Sequence, residues 1–497
     1  MIHKKIQNLI SSTDLKGKFT RGGLILSGGI FVENALRFLR NIILTRILAP
    51  EYFGLMATIM AIIAAFQSFT EVGVRQAVIQ NDQGSTLKFL NVAWWFSSIR
   101  GFILFIIAFL TAPFVCEFYN SPELLLPLRI TYTIIIFHGI ESPRIHSLEK
   151  ELSYKRWVII KQSAAFIGIL TAITTAFIYH NIWPLVLGFT TEFFLSTLLS
   201  YIIVPFRPSL KIDKESLSSL ITYAKGMLGL PIFTAIFQRI DVFAIGKLLT
   251  MADLGLYAVA QALAYAPNMI FAKIVRPLIL PVFSKLQNDH QALSDSIIKF
   301  SRIISMITMP LVAYLIINSK QILSLLYGAK YGEVWLPFSI LMFYVETMFY
   351  SVIFMQLYFA LGRPGIQRTF AMVRLAIGAI LIYPAIISFG LSGAAFTIFL
   401  SMFVLTIFQI YWTRKLINFD IFEFLRCLLP GFALSLIVIV PSIGFKIFVS
   451  ETTIIELLFG FFLCLITWSI SFHEIVSKMF DINLVTIAKN RIKNLGS

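Results

Sequence analysis

Apolar runs longer than about 18 residues recur from one end of this chain to the other, with only short polar breaks between them. A helix needs about 20 such residues to cross the hydrocarbon of a bilayer, where backbone N–H and C=O groups must find their partners inside the segment itself. The runs therefore confine the chain to one fold class, an all-α polytopic membrane protein. Composition agrees: 58% of the 497 residues are hydrophobic and 13% are charged, roughly half the charged share of a soluble domain. Mean hydropathy is +0.84.

Reading runs between breaks gives about fourteen spans. Six lie near 22–44, 53–79, 89–111, 124–146, 157–179 and 183–205, and six more near 217–245, 254–282, 297–317, 334–361, 367–389 and 391–413. The last two lie near 425–448 and 453–473. The connecting segments alternate in charge. Basic ones cover 4–21, Lys88, 144–156, 207–214, 273–299, 363–368, 414–426 and 478–493, while the segments at 46–51, 117–123, 180, 247–253, 320–330 and 451 are poor in charge. Basic loops stay on the cytoplasmic side, so both termini are expected there. The same asymmetry explains the net charge of +16 without invoking nucleic acid, which such a charge would suggest in a soluble protein. The opening segment lacks an apolar core, so no cleavable signal peptide is expected, and Ile2, Ile6, Leu9 and Ile10 suit a short interfacial helix. No outward segment exceeds about twenty residues, too few for an extramembrane domain.

A second regularity is internal. The joint Arg46-Ile-Leu-Ala-Pro-Glu-Tyr-Phe-Gly-Leu55 returns about 200 positions later as Lys247-Leu-Leu-Thr-Met-Ala-Asp-Leu-Gly-Leu256. In one gapless register Leu48 falls on Leu249, Gly54 on Gly255, Ala61 on Ala262 and Arg75 on Arg276. Six spans per copy is an even number, so both copies start from the same face, as in a parallel repeat about an axis along the membrane normal. The expected organisation is a cytoplasmic N-terminal segment 1–21, an N-lobe 22–206, a C-lobe 207–415, two further helices within 416–476 and a cytoplasmic tail 477–497.

Ionisable residues inside spans are expensive and point to function. Glu33, Arg37 and Arg40 share one helix face at steps of four and three, and Glu71 stands four before Arg75. Arg100 and Arg374 sit deep in their runs with no acidic neighbour at helical spacing; Arg129, His138, Glu192, Lys225, Arg239, Asp241, Lys273, Arg276 and Glu346 complete the set. Lys161 lies close enough to a span end to snorkel. The first lobe is cationic in balance, and arginine's planar fork suits phosphate or carboxylate. Arg37, Arg40, Arg100, Arg129, Arg239 and Arg374 are the candidate substrate-binding residues, while Glu33, Glu71, Arg75, Asp241, Arg276 and Glu346 are candidates for charge pairing or coupling. Signatures of enzymes are missing: Gly17-Lys18 and Gly246-Lys247 lack the rest of a P-loop, and there is no HExxH, paired CxxC or nucleophile elbow. Cys116, Cys427 and Cys464 have no metal-like spacing. No cofactor, metal or enzymatic activity is expected.

The joint at 43–55, followed by Phe69-Thr-Glu-Val-Gly-Val-Arg-Gln-Ala-Val-Ile-Gln80, resembles the opening of bacterial polysaccharide exporters. These belong to the multidrug/oligosaccharidyl-lipid/polysaccharide flippase superfamily, and the resemblance is to its O-antigen, colanic-acid and teichuronic-acid branch. It implies a flippase of the bacterial inner membrane that moves undecaprenyl-diphosphate-linked oligosaccharide from the cytoplasmic to the outer leaflet by alternating access. Implied partners are the lipid-linked oligosaccharide, membrane lipids, and a polysaccharide polymerase and glycosyltransferases. It also implies a cationic cavity for the head group and a groove for the polyprenyl tail at the last two spans. Glu33 matches the place of the acidic coupling residue in the drug exporters, although Arg37 and Arg40 beside it argue against a pure cation site. Two other classes share the pattern. A cation-coupled multidrug exporter of the same fold predicts an acidic cavity, and a membrane-embedded polysaccharide polymerase or ligase predicts a large outward loop.

Overall fold

The computed structural model describes residues 15–70, 74–151, 153–227, 237–268, 271, 275–448 and 453–480. The interfacial helix expected over residues 2–10 lies outside them, as do Glu71 and the side chain of Arg276. All regular structure among the described residues is helical, and ten of the helices are long and apolar enough to cross a membrane. The all-α membrane fold is therefore borne out, with about ten membrane-capable helices; the described residues do not establish fourteen.

The chain divides into two compact units, 1–259 and 260–497. The first contains α1 (Leu15–Ile47), α2 (Pro50–Thr70), α3 (Val74–Gln80), α4 (Leu87–Phe118), α5 (Leu125–Thr131), α6 (Thr133–Ile140), α7 (Arg144–Lys150), α8 (Tyr154–Ala176), α9 (Trp183–Ile203), α10 (Lys214–Met227) and α11 (Ile240–Leu248), and most of α12 (Met251–Ala264). The second expected span is helical over Pro50–Thr70 and Val74–Gln80 among the described residues. The fourth stops at Ile140, six residues before the expected boundary at 146, because Pro143 disfavours helical geometry at Ser142. The last turn of α6 then has carbonyls without helical partners. Neighbouring side chains supply them: Thr197 donates to the Phe137 carbonyl at 2.9 Å, Ser98 to Gly139 at 3.2 Å and Tyr201 to Ile140 at 2.5 Å.

Small residues set how closely helices approach inside lipid, where no hydrophobic force draws them together. α4 meets α6 at Gly101 and Gly139, whose Cα atoms are so near that a Cβ on Gly101 would stand 3.2 Å from the Gly139 Cα. The two joints that the sequence reads as copies also meet: a Cβ on Gly54 would stand 1.8 Å from the Met251 carbonyl oxygen, and one on Gly255 1.8 Å from that of Pro50.

The second unit contains α13 (Arg276–Lys285), α14 (His290–Ile317), α15 (Ser319–Tyr327), α16 (Trp335–Ala360), α17 (Pro364–Ile417), α18 (Ile421–Phe448) and α19 (Thr453–Phe480). α14 packs on α18 and α19, and α16 packs on α17. With 54 residues, α17 would be about 80 Å long if straight, far beyond the ~30 Å hydrocarbon core. Gly390, at φ 56° and ψ −133°, breaks it into two arms, 364–389 and 391–417. That backbone conformation is one that only glycine adopts without strain. The arms reproduce the expected spans 367–389 and 391–413.

Candidate functional site

The charged face of α1 is held by α8 and α9. The Arg37 guanidinium donates from Nε to Glu33 Oε1 at 3.0 Å and from Nη2 to Glu192 Oε1, while Gln162 donates to Glu33 Oε2 at 2.8 Å. Glu33 thus pairs with Arg37 as its spacing suggests, but the second carboxylate comes from a residue 155 positions away. Arg40 is only 8% exposed; it donates to Asn41 Oδ1 at 3.1 Å and stands 5.1 Å from the centre of the Phe189 ring. Two carboxylates and two guanidinium groups leave this cluster neutral.

A second polar cluster lies in the same unit. α3, α4, α6, α7 and α8 enclose a cavity of about 320 Å³ whose charged lining is Arg75, Arg100, Lys161, Glu141 and Glu149, with His138 and His146 between them. Trp94 and Trp157 contribute indole surface. Arg75 binds Glu149, with its Nη2 at 2.6 Å. Lys161 does not snorkel to water: its ammonium donates to Glu141 Oε1 at 2.6 Å and to Ser196 Oγ at 2.9 Å. Ser196 in turn donates to Glu141 at 2.8 Å. Burial acts to raise the Glu141 carboxyl, but Lys161, His138 and these hydrogen bonds prevail and bring it down to about 2. His146 is also brought down, to about 4, by burial first and then by His138, Lys161 and Arg75, against the pull of Glu141. It is therefore neutral at physiological pH. The ionised lining carries three cations and two carboxylates, one positive charge in excess.

The neighbour of Arg100, Gly101, packs on Gly139, one residue before α6 ends, so Arg100 lies level with the end of α6. α4 overshoots its neighbour there, running 13 residues, or ~20 Å, from its start to Arg100. Arg100 stands 5.6 Å from the Phe96 ring and Arg129 stands 4.4 Å from the Phe109 ring. Those two rings are 13 residues, roughly 20 Å, apart along α4, so the two arginines are not brought together.

The remaining candidates are scattered. Asp241 is 1% exposed and accepts from Tyr257 Oη at 3.0 Å and from its neighbour's backbone at 2.8 Å, a role within the α11–α12 joint. Arg239 occupies the N-cap position of α11, with no capping bond from its side chain. In the second unit Arg374 donates to Tyr344 Oη at 3.1 Å. Glu346, which has no partner legible in its own run, receives Thr308 at 2.9 Å from α14 and Tyr350 at 2.6 Å, both on Oε1. Glu141 and His146 are not among the sequence candidates, Lys161 reads from the sequence only as a snorkelling residue, and Glu192 stands there as an ionisable residue in a span with no role assigned. Their partners lie on other helices, and no periodicity links them.

The family described as "Polysaccharide biosynthesis protein" matches residues 43–336, well over half of the chain. The chain belongs to that family. Among individual relatives, the lipopolysaccharide biosynthesis protein WzxC of Escherichia coli (strain K12) is 24% identical over 301 residues, covering 59% of this chain and 60% of the relative. The succinoglycan biosynthesis transport protein ExoT of Rhizobium meliloti (strain 1021) is 21% identical over 307 residues, covering 60% of each chain. The chain spans about 60% of the length of both relatives. Among solved structures, the lipid II flippase MurJ in an inward closed conformation matches with a TM-score of 0.71 at 16% identity, covering 91% of this chain and 100% of that one. An inward-facing multidrug MATE transporter of the MOP superfamily matches at 0.63 and 12% identity, covering 80% and 98%. At those identities the likeness is one of fold. The family match over residues 43–336 bears out the resemblance to polysaccharide exporters carried by residues 43–55 and 69–80.

Proposed function

We propose that this chain is a flippase that moves polyprenyl-diphosphate-linked oligosaccharide from the cytoplasmic to the outer leaflet of a bacterial inner membrane, both termini being cytoplasmic. The single observation that carries the reading is the polar cavity in the first unit of a polysaccharide biosynthesis family member. It has a cationic excess for a diphosphate, carboxylates and a glutamine side chain for sugar hydroxyls, and two indole faces for sugar rings. A charged head group does not cross hydrocarbon unaided, and a charged cavity replaces the water it loses. The lining is not the acidic one that a cation-coupled drug exporter calls for.

Within this reading the roles of the arginines divide. Arg100 and Arg75 meet the head group, with Arg129, Arg239 and Arg374 acting at other stages of transit. Arg37, held between Glu33 and Glu192, braces α1 against α8 and α9. Rocking of an N-lobe 22–206 against a C-lobe 207–415 supplies alternating access, and 416–476 lies beside the lipid tail. The inside-negative potential helps a dianionic head outward by about 2.3 kcal/mol per charge per 100 mV. A polysaccharide polymerase and glycosyltransferases supply and consume the substrate.

The test is a chromosomal deletion followed by fractionation of lipid-linked repeat units into leaflets, using inside-out and right-side-out vesicles. Loss of the chain should leave the lipid-linked saccharide in the cytoplasmic leaflet, and its return should restore export. Normal distribution in the deletion strain refutes the reading.

A further inference from the structure

Arg100 borders two spaces. On one side is the polar cavity just described. On the other is an open apolar groove of about 490 Å³ along α4, walled by Trp95, Phe96, Ile99, Ile103, Ile212 and Leu217. Ile99 and Ile103 are each 51% exposed, so the groove opens away from the helix bundle. Its lip is fixed: Trp95 donates to the Ser209 carbonyl at 2.8 Å and Asn91 to that of Lys211 at 2.7 Å, which ties the segment before α10 to the start of α4. Arg207, Lys211 and Lys214 stand on and beside that lip.

We propose that the groove and the cavity are one binding site for an amphiphilic phosphate, joined at Arg100, and that it is where the lipid-linked saccharide loads from the cytoplasmic leaflet. The proposal rests on the flippase reading and adds a place and a path to it. Three observations favour this occupant. Arg100 lies level with the end of α6, and the basic lip of Arg207, Lys211 and Lys214 flanks it, a charge pattern that suits a lipid phosphate. The apolar wall runs on from Arg100 to Ile103 and Leu104, toward the hydrocarbon, as a tail requires. The polar cavity begins at the same guanidinium and offers a saccharide both hydrogen-bonding groups and indole faces. A phospholipid would use the groove and the arginine but leave the cavity without a partner; free pyrophosphate would use the arginine alone.

The full chain in nanodiscs is photolabelled with undecaprenyl-diphosphoryl-glucose carrying a diazirine on its tail, and the adducts are mapped by peptide mass spectrometry. Labelling should fall within residues 92–104, and should drop at least tenfold in Arg100→Gln and in Ile103→Trp, which fills the groove. Trp157→Ala should weaken labelling by the glucosylated probe but not by undecaprenyl diphosphate. Unlabelled undecaprenyl-diphosphoryl-glucose should compete it away. Equal competition by phosphatidylglycerol would reassign the site to bulk lipid, and equal competition by pyrophosphate would remove the groove from it; either overturns the proposal. If wild-type vesicles flip the probe while labelling maps elsewhere, the flippase reading stands and the loading site fails. If they neither flip nor bind it, both fail.

Discussion

Gly101 is the most informative position to perturb, because its surroundings are backbone and cannot rotate aside. A Cβ there would stand 3.1 Å from the Ile135 carbonyl oxygen and 3.2 Å from the Gly139 Cα, whereas relaxed carbon contacts need ~3.5–4.0 Å. α4 and α6 must therefore part by roughly 0.5 Å. The Ser98 bond to the Gly139 carbonyl, already 3.2 Å long, stretches out of range. Overpacking of this kind costs about 1–3 kcal/mol, offset by up to ~1 kcal/mol of helix propensity gained from alanine. Gly101→Ala should lose about 1 kcal/mol net, and Gly101→Val, branched and with less propensity to gain, about 3 kcal/mol. The control is Gly444→Ala, where a Cβ meets nothing within 4 Å and propensity alone acts, a gain of up to ~1 kcal/mol. Thermal unfolding followed by tryptophan fluorescence at one scan rate should rank Gly444→Ala above wild type, then Gly101→Ala, then Gly101→Val. If Gly101→Val melts with wild type, the close approach of α4 and α6 does not exist as described, and the wall of the polar cavity goes with it.

Other perturbations follow from the same geometry. Glu192→Gln should cost about 1–2 kcal/mol through loss of a charge-assisted bond, and nothing in an Arg37→Met background; equal costs in both backgrounds would show that the pair is uncoupled. Lys161→Met should be worse than the double change Lys161→Met/Glu141→Gln, because the single change strands a buried carboxylate, a loss of about 3 kcal/mol that the double largely recovers. The His146 ring is held near 4 in the folded chain against about 6.5 unfolded, so the unfolded state binds more protons between those values. Its contribution is complete above pH 6.5 and is lost as pH falls toward 4, and His146→Gln should flatten the melting temperature across that window. Gly54→Ala, whose Cβ would overlap the Met251 carbonyl at 1.8 Å, should abolish folding, as measured by loss of a monodisperse peak in detergent.

Much of the fold was legible because bilayer solvation imposes length and hydropathy on each span. The arms on either side of Gly390 match spans bounded by residue pattern alone, and Glu33–Arg37 was readable because helical spacing is local. The pattern does not report where a helix breaks inside an apolar run. Pro143 ended the fourth span early, and the strength of that signal was hidden by the apolar residues around it. The cavity was least legible. Glu141, His146 and Lys161 come together through the packing of α6, α7, α8 and α9, and a polar residue near a span end looks the same whether it faces water or a buried partner.

The bent helix α17 bears on how the chain enters its membrane. From 375 to 413 there is no charged residue, while Arg363, Arg368 and Arg374 precede that stretch and Arg414 and Lys415 follow it. The turn at Gly390 therefore carries nothing ionic across the bilayer during biogenesis, and the basic residues at both open ends hold those ends on one side. The two arms can be integrated together as a hairpin. Because a hairpin begins and ends on the same face, it is topologically silent: α18 and α19 would keep their orientation even if the pair were late to insert.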